Sequence, residues 1–313
     1  MHRRDFLRCV SAGLVIGSAV GGCAQELVRG APSSGARYPR PGLQLFTVMT
    51  LLDRDFRGTL RAVADIGYRE VETMGAFDRD PGEVRAMLAE FGLSTPSQHL
   101  MPGALYADFS LYNRGGIAWE EIIRRFVAAF DFNRVEQFVT EAIGRAQGLG
   151  QSYVVWQMNW LEGYGLAEAR QHIAAFNLAG KLCRDAGLTF AFHNHNLEFA
   201  PLDGSTAYDL IVQNTDPDLV KLEMDFMWAT TAGIDPVAYF ERYPGRFKLT
   251  HLKDRSADGK IVVAGTGIED FPRLLKASEA AGIEHAFVEY DQPTDPLAEI
   301  IAAYRYLSAV ERR

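Results

Sequence analysis

The chain reads as a single-domain α/β protein, a (β/α)8 TIM barrel, and three observations predict it. Short apolar runs alternate with helical patterns eight times, which implies parallel strands joined by helical crossovers. Gly67, Gly92, Gly150, Gly187, Gly245 and Gly282 each stand just before a strand-like run, where a helix closing in a left-handed cap favours a residue without Cβ. A length of 313 residues, 48% of them hydrophobic, suffices for one large barrel core.

Strands are expected near 43–48, 69–73, 93–99, 152–157, 188–195, 220–225, 247–253 and 285–290. Asp80-Pro81 and Asp235-Pro236 read as helix N-caps followed by proline at the first helical position. Residues 100–131, between the third strand and its main helix, form an insertion containing LYADFSLYNRGGIAWEEIIRRF. Its aromatics, its Gly115-Gly116 hinge and a short amphipathic helix suit either a lid over the barrel mouth or a decoration of the rim. The barrel is expected to span 41–313.

The N-terminus predicts export. Arg3-Arg4 precede Phe6-Leu7, and the apolar stretch Val10 to Val20 follows, the n-region and h-region of a twin-arginine signal over residues 1–23. That stretch is shorter than the roughly 20 apolar residues of a membrane-spanning helix. Val20-Gly21-Gly22-Cys23 resembles a lipobox, which makes Cys23 the expected lipidation site; an ordinary cleaved signal is the alternative. Residues 24–40, rich in Gly, Pro, Ser and Ala, suit a flexible tether. The expected location is therefore the periplasmic or cell-surface side, with membrane contact only through the lipid.

Removal of Cys9 and acylation of Cys23 leave Cys183 alone, so no disulfide framework supports the fold. Losing Arg3, Arg4, Arg8 and Asp5 with the signal takes the net charge from −8 to −10. An acidic chain without a basic stripe excludes nucleic acid as an expected partner; the oligomeric state stays open.

In a barrel of this kind catalytic groups project from the carboxyl ends of the strands. There this chain carries Gln44, Glu72, His99, Gln157, His193 and His195, Asp225, His251 and Lys253, and Glu289. Any one of them fits a structural role, but together they matter, because polar groups clustered at the ends of apolar strands cost several kcal/mol unless paired. His193, Asp225, His251 and Glu289 come from strands five to eight. Two imidazoles and two carboxylates suit Mn²⁺, Co²⁺ or Zn²⁺; a buried hydrogen-bonded network is the alternative.

His195 shares a strand face with His193 by the two-residue period, a position from which it contacts substrate or shuttles a proton. Lys253 likewise follows His251, where a cation stabilises an enolate, unless it is a solvated lysine paired with Asp254. His172 and His285 lie away from the strand ends and read as structural.

The segments GLQLFTVMT, GYREVETMG, FAFHNHNLEF, LEMDFMWATTAGIDPVAYFERYPGRFKLTHLKD, GTGIEDFPRLLKA and FVEYD resemble the xylose-isomerase-like sugar phosphate isomerase/epimerase superfamily. The resemblance runs from about residue 42 to 310. It implies a Glu-Asp-His-Glu metal quartet on successive strands and a proton carried by carboxylates through a cis-enediolate. Asp225, His251 and Glu289 match three members of that quartet. His193 stands where many relatives have glutamate, a variant that resembles the inosose dehydratase branch and removes one of the two usual acid/base carboxylates. Glu198 resembles a substrate-contacting glutamate of the ketose epimerases and is the candidate second base.

The implied activity is metal-assisted proton transfer beside a carbonyl, with Glu289 as carrier. Gln44, Glu72, His99, Trp156, Gln157 and Trp228 are the expected substrate contacts, with Phe226, Trp156 and Trp228 suited either to stacking on a sugar or to packing. The phosphate-loop candidate, Gly265-Thr266-Gly267, is a short signal, and sugar phosphates are scarce outside the cytoplasm. A neutral sugar or glycoside is therefore expected, a 3-keto derivative being one option. A metal-dependent lyase or dehydratase and a non-catalytic sugar-binding lipoprotein are the alternatives. An endonuclease IV-like role is opposed by the acidic charge and by Trp228, where a further zinc-binding histidine would be expected.

Overall fold

The computed structural model describes residues 40–157, 165–291 and 293–310. The expected signal, Cys23 and all of the tether except Arg40 lie outside the described residues. Eight strands close the barrel: β1 (Gly42–Gln44), β2 (Glu70–Met74), β3 (Ser94–His99), β4 (Tyr153–Trp156), β5 (Thr189–His193), β6 (Val220–Asp225), β7 (Phe247–Leu252) and β8 (His285–Val288). Neighbours pair in parallel, and β1 closes onto β8 with Leu43 opposite Val288.

All eight expected strands are present, six of them shorter than expected, and the early ends of β1 and β5 have local causes. Leu45–Val48 turns into a 3-10 helix, because the Gln44 side chain accepts the Phe46 N–H and caps the turn. β5 stops at His193, where Asn194 leaves the ladder to pair its side chain with the backbone of Asp225.

A helix follows each strand, from Phe56–Ile66 after β1 to Pro296–Val310 after β8. Asp80 accepts the Glu83 N–H and Asp235 the Val237 N–H, with Pro81 and Pro236 in the first turn. These caps satisfy donors that a helix start leaves open. At Gly150 and Gly282 the helices end in the left-handed conformation, φ 75° at both, which a side chain would strain.

Strand alternation divides the barrel into two shells. Outward residues such as Val154, Phe190, Phe192, Leu222 and Met224 join the main core beneath the helices. Inward residues Tyr153, Val155, Ala191, Leu249 and Phe287 form a small separate core that fills the barrel interior. Nearer the carboxyl ends the inward positions are polar.

This alternation corrects the expected substrate contact at Trp156 and selects packing for Phe226. Trp156 follows inward Val155 and therefore points outward, where its ring lies 5.1 Å from Phe138 and 5.2 Å from Phe130 and Phe176. It is a core residue, whose truncation to alanine would cost roughly 3–5 kcal/mol, and does not stack on a ligand. Phe226 is buried as well and packs edge-on against Phe240.

The insertion folds as two helices, Leu105–Asn113 and Trp119–Ala129. Tyr106 and Ser110 donate to Asp53 Oδ1 at 3.1 and 2.7 Å, and Phe109 meets Phe46 edge-on. The first helix is thereby tied to the loop after β1, and Phe109 and Tyr112 line the cavity at the barrel mouth. Among the described residues no helix is long and apolar enough to cross a membrane.

Candidate metal centre and its cavity

The polar layer is built by the period of two. Glu72, His99, His193, Glu223, Asp225 and His251 occupy successive inward positions, and Lys253 and Glu289 follow directly after β7 and β8. The β2–β3 pairing shifts register between Glu70 and Glu72, and the β6–β7 pairing between Leu222 and Glu223. Such irregularities re-aim side chains beside functional sites, and here each one ends at a carboxylate of the cluster.

His251 is the hub. Its Nδ1 lies 2.7 Å from Glu289 Oε2 and its Nε2 2.7 Å from Glu72 Oε2. Glu223 Oε2 stands 2.9 Å from His193 Nδ1 and 3.1 Å from His99 Nε2. Asp225 Oδ2 lies 3.7 Å from His193 Nε2 and 3.4 Å from Lys253 Nζ. Lys253 also reaches Glu289 Oε2 at 2.8 Å and Asp291 Oδ1 at 2.9 Å.

Burial opposes charge on every one of these groups, and the neighbours decide which gives way. Burial would lower His99, but Glu72 and Glu223 outweigh it and push it up to about 9. His251 is raised well above the usual histidine range against the same opposition, by Glu223 and Glu289. His193 is driven well below that range by burial and by the cations around it. Burial holds Asp225 up at about 7 despite Lys253. Glu289 is the reverse case: Lys253 and His251 overcome burial and keep its carboxyl well below the usual range.

This donor set fits a divalent cation. Ligand atoms of His99, His193, Glu223 and His251 all lie within 4.8 Å of one another, as do those of Asp225, His251 and Glu289. Glu72 Oε1, Glu223 Oε1 and Asp225 Oδ2 are buried with no hydrogen-bond partner among the described residues. Five carboxyl groups, Glu72, Glu223, Asp225, Glu289 and Asp291, surround Lys253 and these histidines. Even with His99 and His251 protonated, ionisation of all five leaves two negative charges for a dication to neutralise. Mixed imidazole and carboxylate ligation suits Mn²⁺, Co²⁺ or Zn²⁺, and a neutral His193 is in the form that binds metal.

The family described as "Xylose isomerase-like TIM barrel" matches residues 60–309. The chain belongs to this xylose isomerase-like family. Over 210 residues it is 24% identical to an inosose dehydratase of Geobacillus kaustophilus, covering 62% of this chain and 60% of that protein. An inosose dehydratase of Lacticaseibacillus casei is 28% identical over 152 residues, which cover 42% of this chain and 50% of that protein. The chain thus spans between half and three fifths of the length of these two relatives.

Among solved structures, a sugar phosphate isomerase/epimerase from Parabacteroides distasonis superimposes with a TM-score of 0.70 at 25% identity, covering 89% of this chain and 96% of that one. A 3-keto-D-glucoside 4-epimerase from E. coli shares the fold with a TM-score of 0.60 at 15% identity, over 88% of this chain and 100% of that one.

In this xylose isomerase-like barrel His193, Asp225, His251 and Glu289 converge on one site. His99, His193, His195, Gln157, Trp228 and Lys253 line a cavity of about 390 Å³ above it. Gln44 and Glu72 do not reach that cavity. Both are fully buried, and Gln44 donates to Glu72 Oε2 at 2.7 Å, so the pair braces the cluster from beneath.

Glu198 is corrected similarly. It is buried behind the loop after β5, where its carboxylate accepts the His195 N–H at 3.0 Å, and it does not face the cavity as a second base. Lys253 is buried, and its partners are Asp225, Glu289 and Asp291, not Asp254. Asp254 instead accepts the N–H groups of Arg255, Gly265, Gly267 and Glu269. The glycine loop is consequently no phosphate cradle, because its donors are already taken by a carboxylate.

His172 sits in the outer shell against Phe132 and Phe176. His285 pairs with Glu70 at 3.0 Å, at the opposite end of the barrel. Glu223 and Asp291 escaped the reading of strand ends, although each is two residues from a chosen carboxylate and the face rule applied to His195 and Lys253 would have found both.

Proposed function

We propose that the protein is a divalent-metal-dependent sugar isomerase or epimerase that transfers a proton on a neutral keto sugar or glycoside. The observation that carries this reading is the double position of Glu289. Its carboxylate belongs to the ligand group with Asp225 and His251, and it also lines the cavity. Relatives named as an inosose dehydratase, a sugar phosphate isomerase/epimerase and a 3-keto-D-glucoside 4-epimerase support the same chemistry.

A bound divalent cation, held by His193, Asp225, His251 and Glu289 with Glu223 and His99 beside them, would supply Lewis acidity toward the substrate carbonyl. Glu289, kept ionised by Lys253 and His251, takes the proton from the neighbouring carbon and returns it. Lys253 Nζ donates to the oxygen on which negative charge develops. His195, whose imidazole burial keeps neutral at ordinary pH, positions a hydroxyl. Phe109, Tyr112 and Trp228 border the cavity and limit water access to the reacting carbon.

A second reading is favoured by His193 and by the inosose dehydratase relatives: the same enolate expels a β-substituent, which makes the protein a lyase. Incubation with Mn²⁺ or Co²⁺ and neutral keto sugars or their glycosides in D₂O separates the two. Deuterium beside the carbonyl with the skeleton retained is the expected result; loss of water or aglycone indicates the lyase. Glu289→Gln should abolish exchange with the fold intact by circular dichroism, and persistent exchange would remove Glu289 from its role.

The N-terminal pattern supports action outside the cytoplasm from a lipid anchor on Cys23. Cys23→Ser should then release the protein into the soluble fraction; an unchanged membrane pool would contradict the anchor.

A further inference from the structure

The cavity above the metal cluster has two chemically distinct parts. Its charged and imidazole groups gather at the floor, where His99, His193, His195, Lys253, Glu289 and Asp291 stand. Its wall is largely apolar, with Phe46, Met74, Met101, Phe109, Trp228 and Ile261 in it and Asn113, Gln157 and Asn196 as its polar exceptions. These six come from five parts of the chain: the turn after β1, the end of β2, the insertion after β3, which supplies both Met101 and Phe109, the helix after β6 and the short ribbon after β7. Five parts of the chain thus present apolar groups to one space, although loops at a barrel mouth are free to carry polar ones.

A sugar hydroxyl placed against that wall would lose its hydration without gaining a partner. A flat apolar group would leave water, and aromatic rings and thioethers make favourable contacts with another ring. At about 390 Å³ the cavity falls in the range that holds a whole small ligand. Trp228 stands at the junction of floor and wall, 5.5 Å from both the His195 ring and Lys253 Nζ, and its Nε1 is buried without a partner among the described residues. An indole N–H is a donor only and suits an acceptor such as the oxygen that links a sugar to its aglycone.

The geometry points to a glycoside with an aromatic aglycone as the substrate, the sugar over the metal cluster and the aglycone against Phe46, Phe109 and the two methionines. This rests on the reading of the floor as a sugar site, and deepens it.

The test measures binding without turnover. Isothermal titration of the Mn²⁺-loaded protein compares matched methyl and phenyl β-glycosides of glucose, galactose and xylose. In at least one pair the phenyl glycoside should bind ten times more tightly or better. Phe46→Ser, and separately Ile261→Ser on the partly exposed ribbon, should each cut that preference to less than threefold and leave methyl glycoside affinity within twofold. Equal affinity within every pair that binds, or a preference that survives both substitutions, overturns the aglycone inference alone. Binding by no pair overturns the sugar reading and this inference with it.

Discussion

Lys253 Nζ lies 2.8 Å from Oε2 of Glu289, and both side chains are buried. A lysine there can hold its charge only because Asp291, Glu289 and Asp225 overcome the cost of burial. In return it keeps Glu289 ionised, which a proton acceptor must be. Lys253→Met should therefore lower kcat by about 10²–10³. It should also act through pH. Without the cation the Glu289 carboxyl rises, so the acid limb of the kcat–pH profile moves to higher pH. A profile displaced downward in rate but unmoved along the pH axis would contradict the coupling.

Glu223 joins the cluster from the middle of β6, and its one carboxylate oxygen serves both His193 and His99. Glu223→Gln keeps the shape and removes the charge. Metal affinity, measured by competition with a chelating dye, should fall about 10–100-fold, with the circular dichroism spectrum unchanged. An affinity within twofold of the parent would place Glu223 outside the metal's electrostatic neighbourhood.

His172 gives the fold an acid sensitivity independent of the metal site. Burial lowers it from 6.5 to about 4 in the folded chain, so the unfolded chain binds a proton first as the pH falls. Its contribution is fully present above about pH 6.5 and is lost between there and about pH 4, amounting to roughly 3 kcal/mol across the window. Urea midpoints for the parent and His172→Gln should converge between pH 7.5 and pH 4.5. A constant gap between them would dismiss the titration.

The barrel is legible in the sequence because its signals are local. Each apolar run, capping glycine and Asp-Pro pair lies within a few residues of the element it sets, and the folded chain uses them accordingly. The site is legible where topology alone brings residues together, as with His251, which shares one donor group with His193 and another with Asp225 and Glu289.

What escapes is orientation and distant pairing. Trp156 ends its strand like a site residue yet faces outward, because position along a strand does not specify the face until register is known. Gly265 and Gly267 resemble a small anion loop, but the carboxylate that occupies their N–H groups, Asp254, lies 11 and 13 residues earlier. Glu198 stands one turn beyond its strand, where a backbone N–H captures it before a substrate can.

The central claim is that a divalent ion gathered at His251 makes a sugar C–H bond acidic. Elemental analysis of active protein, paired with solvent-deuterium incorporation before and after chelation, tests it most directly. The account predicts close to one transition-metal ion per chain, with exchange lost on its removal and restored by Mn²⁺ or Co²⁺. Full exchange by protein that carries no such ion would contradict it.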